Sequence, residues 1–143
     1  IDVIATDHAP HTKDEKRNKY VKAPSGGPLV QHALVSLLEM YHVGKISLEK
    51  IVEKACHNPA ILFQIKERGF IREGFKADLV LIDLKSPWTV HKENILYKCQ
   101  WSPFEGTPFK SKVTHTFVNG ILVYDNFKFP NKSIPQRLTF NRL

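Results

Sequence analysis

A carboxylate at Asp7 and an imidazole at His11 stand four residues apart, on either side of Pro10. A carboxylate can hold a hard metal ion and can carry a proton between reacting atoms. Whether it does so depends on where the backbone puts it. Ile1, Val3, Ile4 and Ala5 form a short apolar, β-branched run that predicts a buried strand. Pro10 stops that run from continuing as an ordinary ladder strand. Asp7 and His11 therefore fall where a strand ends and a loop begins. In α/β folds, and in (β/α)8 barrels above all, the carboxyl ends of strands are where active sites are built. The same residues admit a plainer reading, with Asp7 capping a turn and His11 a surface histidine.

The elements that must position these residues follow in order. Residues 12–28 predict a long polar loop rich in Lys, Asp, Glu, Gly and Pro, of a length that is often functional. Ser25-Gly26-Gly27 allows close backbone approach, or simply a tight turn before the next helix. Pro28 suits a first helical turn. Leu29, Val30, Ala33, Leu34, Leu37, Leu38 and Tyr41 then recur at helical spacing, and Gly44 ends that helix. His32 and His42, on or near it, read as structural or exposed. Ser47 is a good N-cap for a second helix, 48–56, with Ile51, Val52 and Ala55 facing inward. Asn58 and Pro59 look like the cap and first residue of a third, 59–65. From residue 69 the period changes. Leu79–Ile82 is a strand run, Asp78 and Asp83 suit turns, and Asn119-Gly120 between Val113–Val118 and Ile121–Tyr124 is a strong hairpin signal. His115 reads as a cross-strand neighbour, and His57 has no partner at ligand spacing.

The chain has 143 residues, 42% hydrophobic and 24% charged, which fits a folded globular domain rather than disorder. No apolar run approaches the ~20 residues of a membrane span, and no signal peptide opens the chain. It starts at Ile1, directly in a strand, and is expected to be a piece of a longer polypeptide. Cys56 and Cys99 lack metal-site spacing, and Cys56 is expected to be buried. A reducing cytoplasm is the simpler location. The formal net charge is +7, with scattered basic residues. Lys128, Lys132, Arg137 and Arg142 make residues 126–143 a basic tail without the stacking motifs of an RNA-binding arm. A positive field also suits an anionic substrate.

Several strings together carry a resemblance. Thr6-Asp7-His8-Ala9-Pro10-His11 resembles the last-strand motif of dihydroorotases in the amidohydrolase superfamily. Ala23-Pro24-Ser25-Gly26-Gly27 resembles the substrate-facing loop that follows there. Asn58-Pro59-Ala60, Gly69–Asp83, Ser102–Pro108 and Val118-Asn119-Gly120 resemble its later segments, which hydantoinases and allantoinases share. The resemblance implies an α/β chain: the C-terminal end of a metal-dependent (β/α)8 barrel plus a small composite β-domain. Residues 1–68 would be the last barrel strand, substrate loop and terminal helices, 69–125 part of a composite β-sandwich, and 126–143 the tail. A whole barrel takes about 250 residues, so this chain supplies at most the barrel's end.

The activity implied is reversible, metal-dependent interconversion of dihydroorotate and N-carbamoyl-aspartate in pyrimidine biosynthesis. Two divalent cations, usually zinc, would activate a water. Asp7 would bind one metal and pass the proton to the leaving amide nitrogen. His11 would bind the substrate carboxylate, and the backbone of Ser25 and Gly26 the ring amide. His8 has no assigned role and reads as a loop histidine satisfied by backbone. The His-x-His pair and bridging lysine of the family are not found in this sequence, so the chain alone is expected to be inactive. The expected partner is the small-molecule substrate, with a homodimer as a possible assembly and neither nucleic acid nor membrane. Two alternatives stand beside this. One is another cyclic amidase, an allantoinase or hydantoinase, for which His11 discriminates. The other is a non-catalytic dihydroorotase-like scaffold.

Overall fold

The computed structural model describes residues 1–132 and 135–141. Arg142 of the basic tail lies outside the described residues. The chain is a mixed α/β structure: short helices fill its first half and two small antiparallel sheets its second.

The N-terminal segment differs from expectation. Residues 1–7 run without regular structure, and Ile1 is fully exposed. A β-branched run forms a strand only against a neighbour that takes its N–H and C=O groups. Here the contacts come from helices instead. Ile4 N–H donates to Lys54 O (3.1 Å), Lys54 Nζ to Ile1 O (2.6 Å) and Asn58 Nδ2 to Asp2 O (2.6 Å). Asn58 therefore ties down the chain start rather than capping a helix.

The predicted polar loop contains one helical turn, α1 (Lys13–Lys16). Thr12 and Glu15 form a reciprocal capping box, which satisfies N–H groups that so short a turn would otherwise leave open. A 3-10 turn, Val30–His32, leads into α2 (Ala33–His42), and the two together bury His32, Val35 and Leu38 along one stripe. Gly44, at φ +72, closes α2 with Gly44 N–H on Tyr41 O and Lys45 N–H on Met40 O, both 2.9 Å. Ser47 caps α3 (Leu48–Val52) as predicted, its Oγ accepting from Lys50 N–H at 3.2 Å. The helix then widens into a π turn, Glu53–His57, before α4 (Asn58–Leu62). The extra residue in a π turn rotates the face that follows. Ile51 is buried, but Val52, Ala55 and Cys56, all expected inside, are exposed.

The larger sheet has the order β1 (Leu79–Asp83), β4 (Lys112–Val118), β5 (Ile121–Asp125), antiparallel throughout. Asn119 and Gly120 take positive φ (51° and 81°), as the two-residue hairpin requires. Asp78 locks that turn: its carboxylate accepts from Asn119 N–H (2.7 Å) and pairs with Arg68, which also donates to Asn119 Oδ1 (2.8 Å). Asp83 accepts from Lys85 N–H (2.8 Å), again a turn role. His115 lies opposite Asp125, 3.4 Å away. β2 (Trp88–Thr89) pairs with β3 (Pro108–Phe109). Val35 of α2 meets Val90 and Phe109 in the core, walled by Trp88, Ile95, Phe104 and Val113. Among the described residues no helix is long and apolar enough to cross a membrane.

Candidate active site at the Asp7–His11 turn

Asp7 occupies the left-handed region (φ 46°), which non-glycine residues seldom adopt and Asp tolerates better than most. The reversal leaves Asp7 exposed, and among the described residues its carboxylate has no hydrogen-bond or ion partner.

The next residues are fastened by backbone contacts. His8 bridges Gly27 in parallel fashion, and Ala9 N–H donates to Gly27 O at 3.0 Å. His8 Nδ1 accepts from Leu29 N–H (3.0 Å) and Val30 N–H (3.3 Å), the open donors leading into the 3-10 turn. That arrangement requires the tautomer with its proton on Nε2. His8 is thus a backbone-satisfied loop histidine, as its sequence position suggests. Its ring also lies 5.4 Å from that of Tyr97, whose hydroxyl accepts from Gln31 N–H at 2.8 Å.

Gly26 packs face to face with this turn. It has φ +81°, and a Cβ built there would fall 2.7 Å from Ala9 Cβ. Both facts demand glycine. Lys16 Nζ reaches from the end of α1 to Pro24 O (2.6 Å) and Gly26 O (2.9 Å). Ser25 and Gly26 are exposed, and among the described residues Ser25 N–H, Ser25 C=O and Gly26 N–H meet no partner.

His11 is partly exposed. Its N–H donates to Ala9 O (2.9 Å), and its carbonyl accepts from Trp101 Nε1 at 2.7 Å. Its Nδ1 stands 3.9 Å from Glu15 Oε2, an electrostatic contact rather than a hydrogen bond. The Thr12 backbone N–H, then its hydroxyl, hold the Glu15 carboxyl below its ordinary range.

The structure therefore gathers the Asp7–His11 turn and the Ser25–Gly27 loop into one clasp, with free backbone groups and an unpartnered carboxylate at its rim. It gathers no metal cage: among the described residues no three His, Cys, Asp or Glu side chains could hold an ion together. Sequence reasoning missed Glu15, Lys16 and Trp101. The Thr12-x-x-Glu15 capping-box spacing could have flagged the turn that carries the first two. Nothing local flags Trp101, which reaches His11 across 90 residues of sequence.

The family model described as the amidohydrolase family matches residues 1–123. Among curated relatives, a dihydroorotase of Clostridioides difficile is 40% identical over 126 residues, covering 87% of this chain and 29% of that protein. A dihydroorotase of Halobacterium salinarum is 44% identical over 106 residues (74% and 25%), and one of Pyrococcus horikoshii 36% over 138 (96% and 32%). Among solved structures, an L-hydantoinase (dihydropyrimidinase) from Arthrobacter aurescens superposes with a TM-score of 0.84 at 29% identity, covering 92% of this chain and 30% of that one. This chain spans about 30% of the length of the relatives it matches.

Proposed function

We propose that this chain, which belongs to the amidohydrolase family, is the C-terminal part of a dihydroorotase. In this reading residues 1–68 complete a (β/α)8 barrel, 69–125 contribute to a composite β-domain and 126–143 form a basic tail. The observation that carries it is the clasp, in which Ser25–Gly27 folds onto Asp7–Ala9. Similarity to dihydroorotases at 36–44% identity supports the choice of substrate.

The chemistry assigned to this chain's residues is hydrolysis of a cyclic amide. Water adds to the ring carbonyl carbon and the ring C–N bond breaks. Asp7 accepts the proton of the attacking water and returns it to the departing nitrogen, a task suited to an exposed carboxylate with no competing partner. His11 donates to the substrate carboxylate, an interaction strengthened by the negative charge it meets. The free N–H and C=O of Ser25 and the free N–H of Gly26 match the complementary pair on a ring amide. Zinc, two divalent ions in the whole enzyme, is part of the reading, but Asp7 alone does not make a site. The other ligands would lie in chain beyond this one, because a catalytic metal takes about three protein ligands. The free thiols Cys56 and Cys99 suit a reducing cytoplasm.

A second reading, a hydantoinase, is favoured by the TM-score of 0.84 to an L-hydantoinase. The test is ring opening by the full-length, metal-loaded protein on dihydroorotate, hydantoin and allantoin, with His11→Ala beside the parent. The dihydroorotase reading expects preference for dihydroorotate, and a KM for it raised about tenfold or more in H11A. Preference for hydantoin or allantoin, with H11A unaffected, would favour the other amidases. No turnover of any would favour the scaffold.

A further inference from the structure

We propose that Lys16 is a positioning residue for substrate binding: its ammonium holds the Ser25–Gly26 backbone in the orientation that reads the ring amide. This rests on the reading above for the identity of the ligand, but not for the clasp itself.

The geometry is specific. Lys16 Nζ donates to Pro24 O at 2.6 Å and to Gly26 O at 2.9 Å. Those carbonyls belong to the peptide units on either side of the Ser25–Gly26 unit. In a trans peptide the N–H points opposite to the C=O. Anchoring Pro24 O on the ammonium therefore aims Ser25 N–H away from Lys16. With the units before and after it pinned, the central unit has little freedom to rotate, so Ser25 C=O and Gly26 N–H are oriented as well. These three groups are the ones without partners among the described residues. A cationic donor on a carbonyl also polarises the peptide unit and strengthens its N–H as a donor.

Among the described residues no carboxylate lies within 4 Å of Lys16 Nζ, although α1 carries Asp14 and Glu15. Asp14 pairs with Arg17, and Glu15 closes the capping box. The capping box fixes the turn that puts Lys16 at the last position of α1. Gly26 leaves no room for a side chain on its Ala9 side, since a Cβ built there would fall 2.7 Å from Ala9 Cβ. The loop is thus held by Ala9 N–H at Gly27 O and by the ammonium at Pro24 O and Gly26 O.

The test uses the full-length, metal-loaded protein with Lys16→Met and Lys16→Arg. Methionine keeps the stem's packing and removes only the ammonium. Two measurements are made: steady-state kinetics on dihydroorotate, and hydrogen exchange of the 17–28 loop by mass spectrometry. Loss of two charged hydrogen bonds to the loop predicts a KM raised about tenfold in K16M with kcat changed less than about threefold. Loop exchange should quicken, with exchange in α2 unchanged. K16R keeps a cationic donor and should recover most of both effects. Unchanged KM and unchanged loop exchange in K16M would overturn the proposal. So would a fall in kcat at constant KM, which would put Lys16 in the chemical step. If the parent leaves dihydroorotate unopened, the function reading fails. Loop exchange in K16M against the parent then decides the clasp alone.

Discussion

His32 shows how much a single residue can depend on its surroundings. It has no exposed surface, and its ring packs beside those of Trp88 and Phe109, both 6.1 Å away. Its Nδ1 is 3.2 Å from Ser102 Oγ, while Nε2 is buried without a partner among the described residues. Burial pushes its pKa below the ordinary value. In the unfolded chain the ring takes a proton near pH 6.5, whereas the folded state resists it to lower pH. Between those two values the unfolded state binds more protons, so stability rises with pH there. His32 therefore favours folding fully above about pH 6.5 and progressively less below it. Thermal unfolding of the full-length protein between pH 5 and 8, with His32→Gln as control, checks this. The parent should lose Tm below about pH 6.5 more steeply than the variant. Parallel curves would remove His32 from the account. The sequence showed His32 only as a histidine near an apolar stripe. Its burial depends on Trp88, Ser102, Phe104 and Phe109, none of them local.

At the scale of elements, locally encoded features were legible and face assignments were less so. Ser47 as a cap, Gly44 as a helix end and Asn119-Gly120 as a hairpin each follow from the backbone conformation one or two residues must adopt. The strand expected at Ile1–Ala5 and the inward faces of Val52 and Ala55 do not appear. A strand needs a neighbour, and the π turn shifts the helical phase at Ala55 without a sequence mark; nothing in the structure explains the exposure of Val52. Gly69 joins the helical half to the sheet half. It has φ +81°, and an added Cβ would fall 2.4 Å from Ala60 Cβ and 2.9 Å from Cys56 O. Gly69→Ala should therefore cost about 2–4 kcal/mol, combining left-handed strain with overpacking. Chemical denaturation midpoints measure this, and a change within about 0.5 kcal/mol would mean the junction adjusts freely.

At the scale of the whole molecule, much apolar surface is left uncovered. Val80, Leu81 and Ile82 of β1 are 45%, 49% and 37% exposed, on both faces of an edge strand. A cavity of about 660 Å³ opens between α2 and the larger sheet, lined by Leu34, Val80, Trp88, Val113, Tyr124 and Phe127. A hydrophobic edge strand left open on both faces is a ready site for association in an isolated domain. The 143-residue chain by itself should bind a hydrophobic dye and unfold over a broad range, as loosely packed states do. A sharp, cooperative transition without dye binding would show that the described contacts suffice. The clasp around Asp7 was only half legible for a related reason. Asp7, His11, Ser25 and Gly26 stand out as a motif, while Lys16 and Trp101, which hold it, emerge only when the chain folds back on itself.

The proposed role of Asp7 is to carry the proton in the opening of a cyclic amide. Its most direct test is dihydroorotate turnover by the full-length, metal-loaded protein, parent against Asp7→Asn. Asparagine keeps the size of the side chain but cannot accept the proton. The kcat should fall by at least about a hundredfold, with an unchanged unfolding midpoint. Turnover within about threefold of the parent would contradict it.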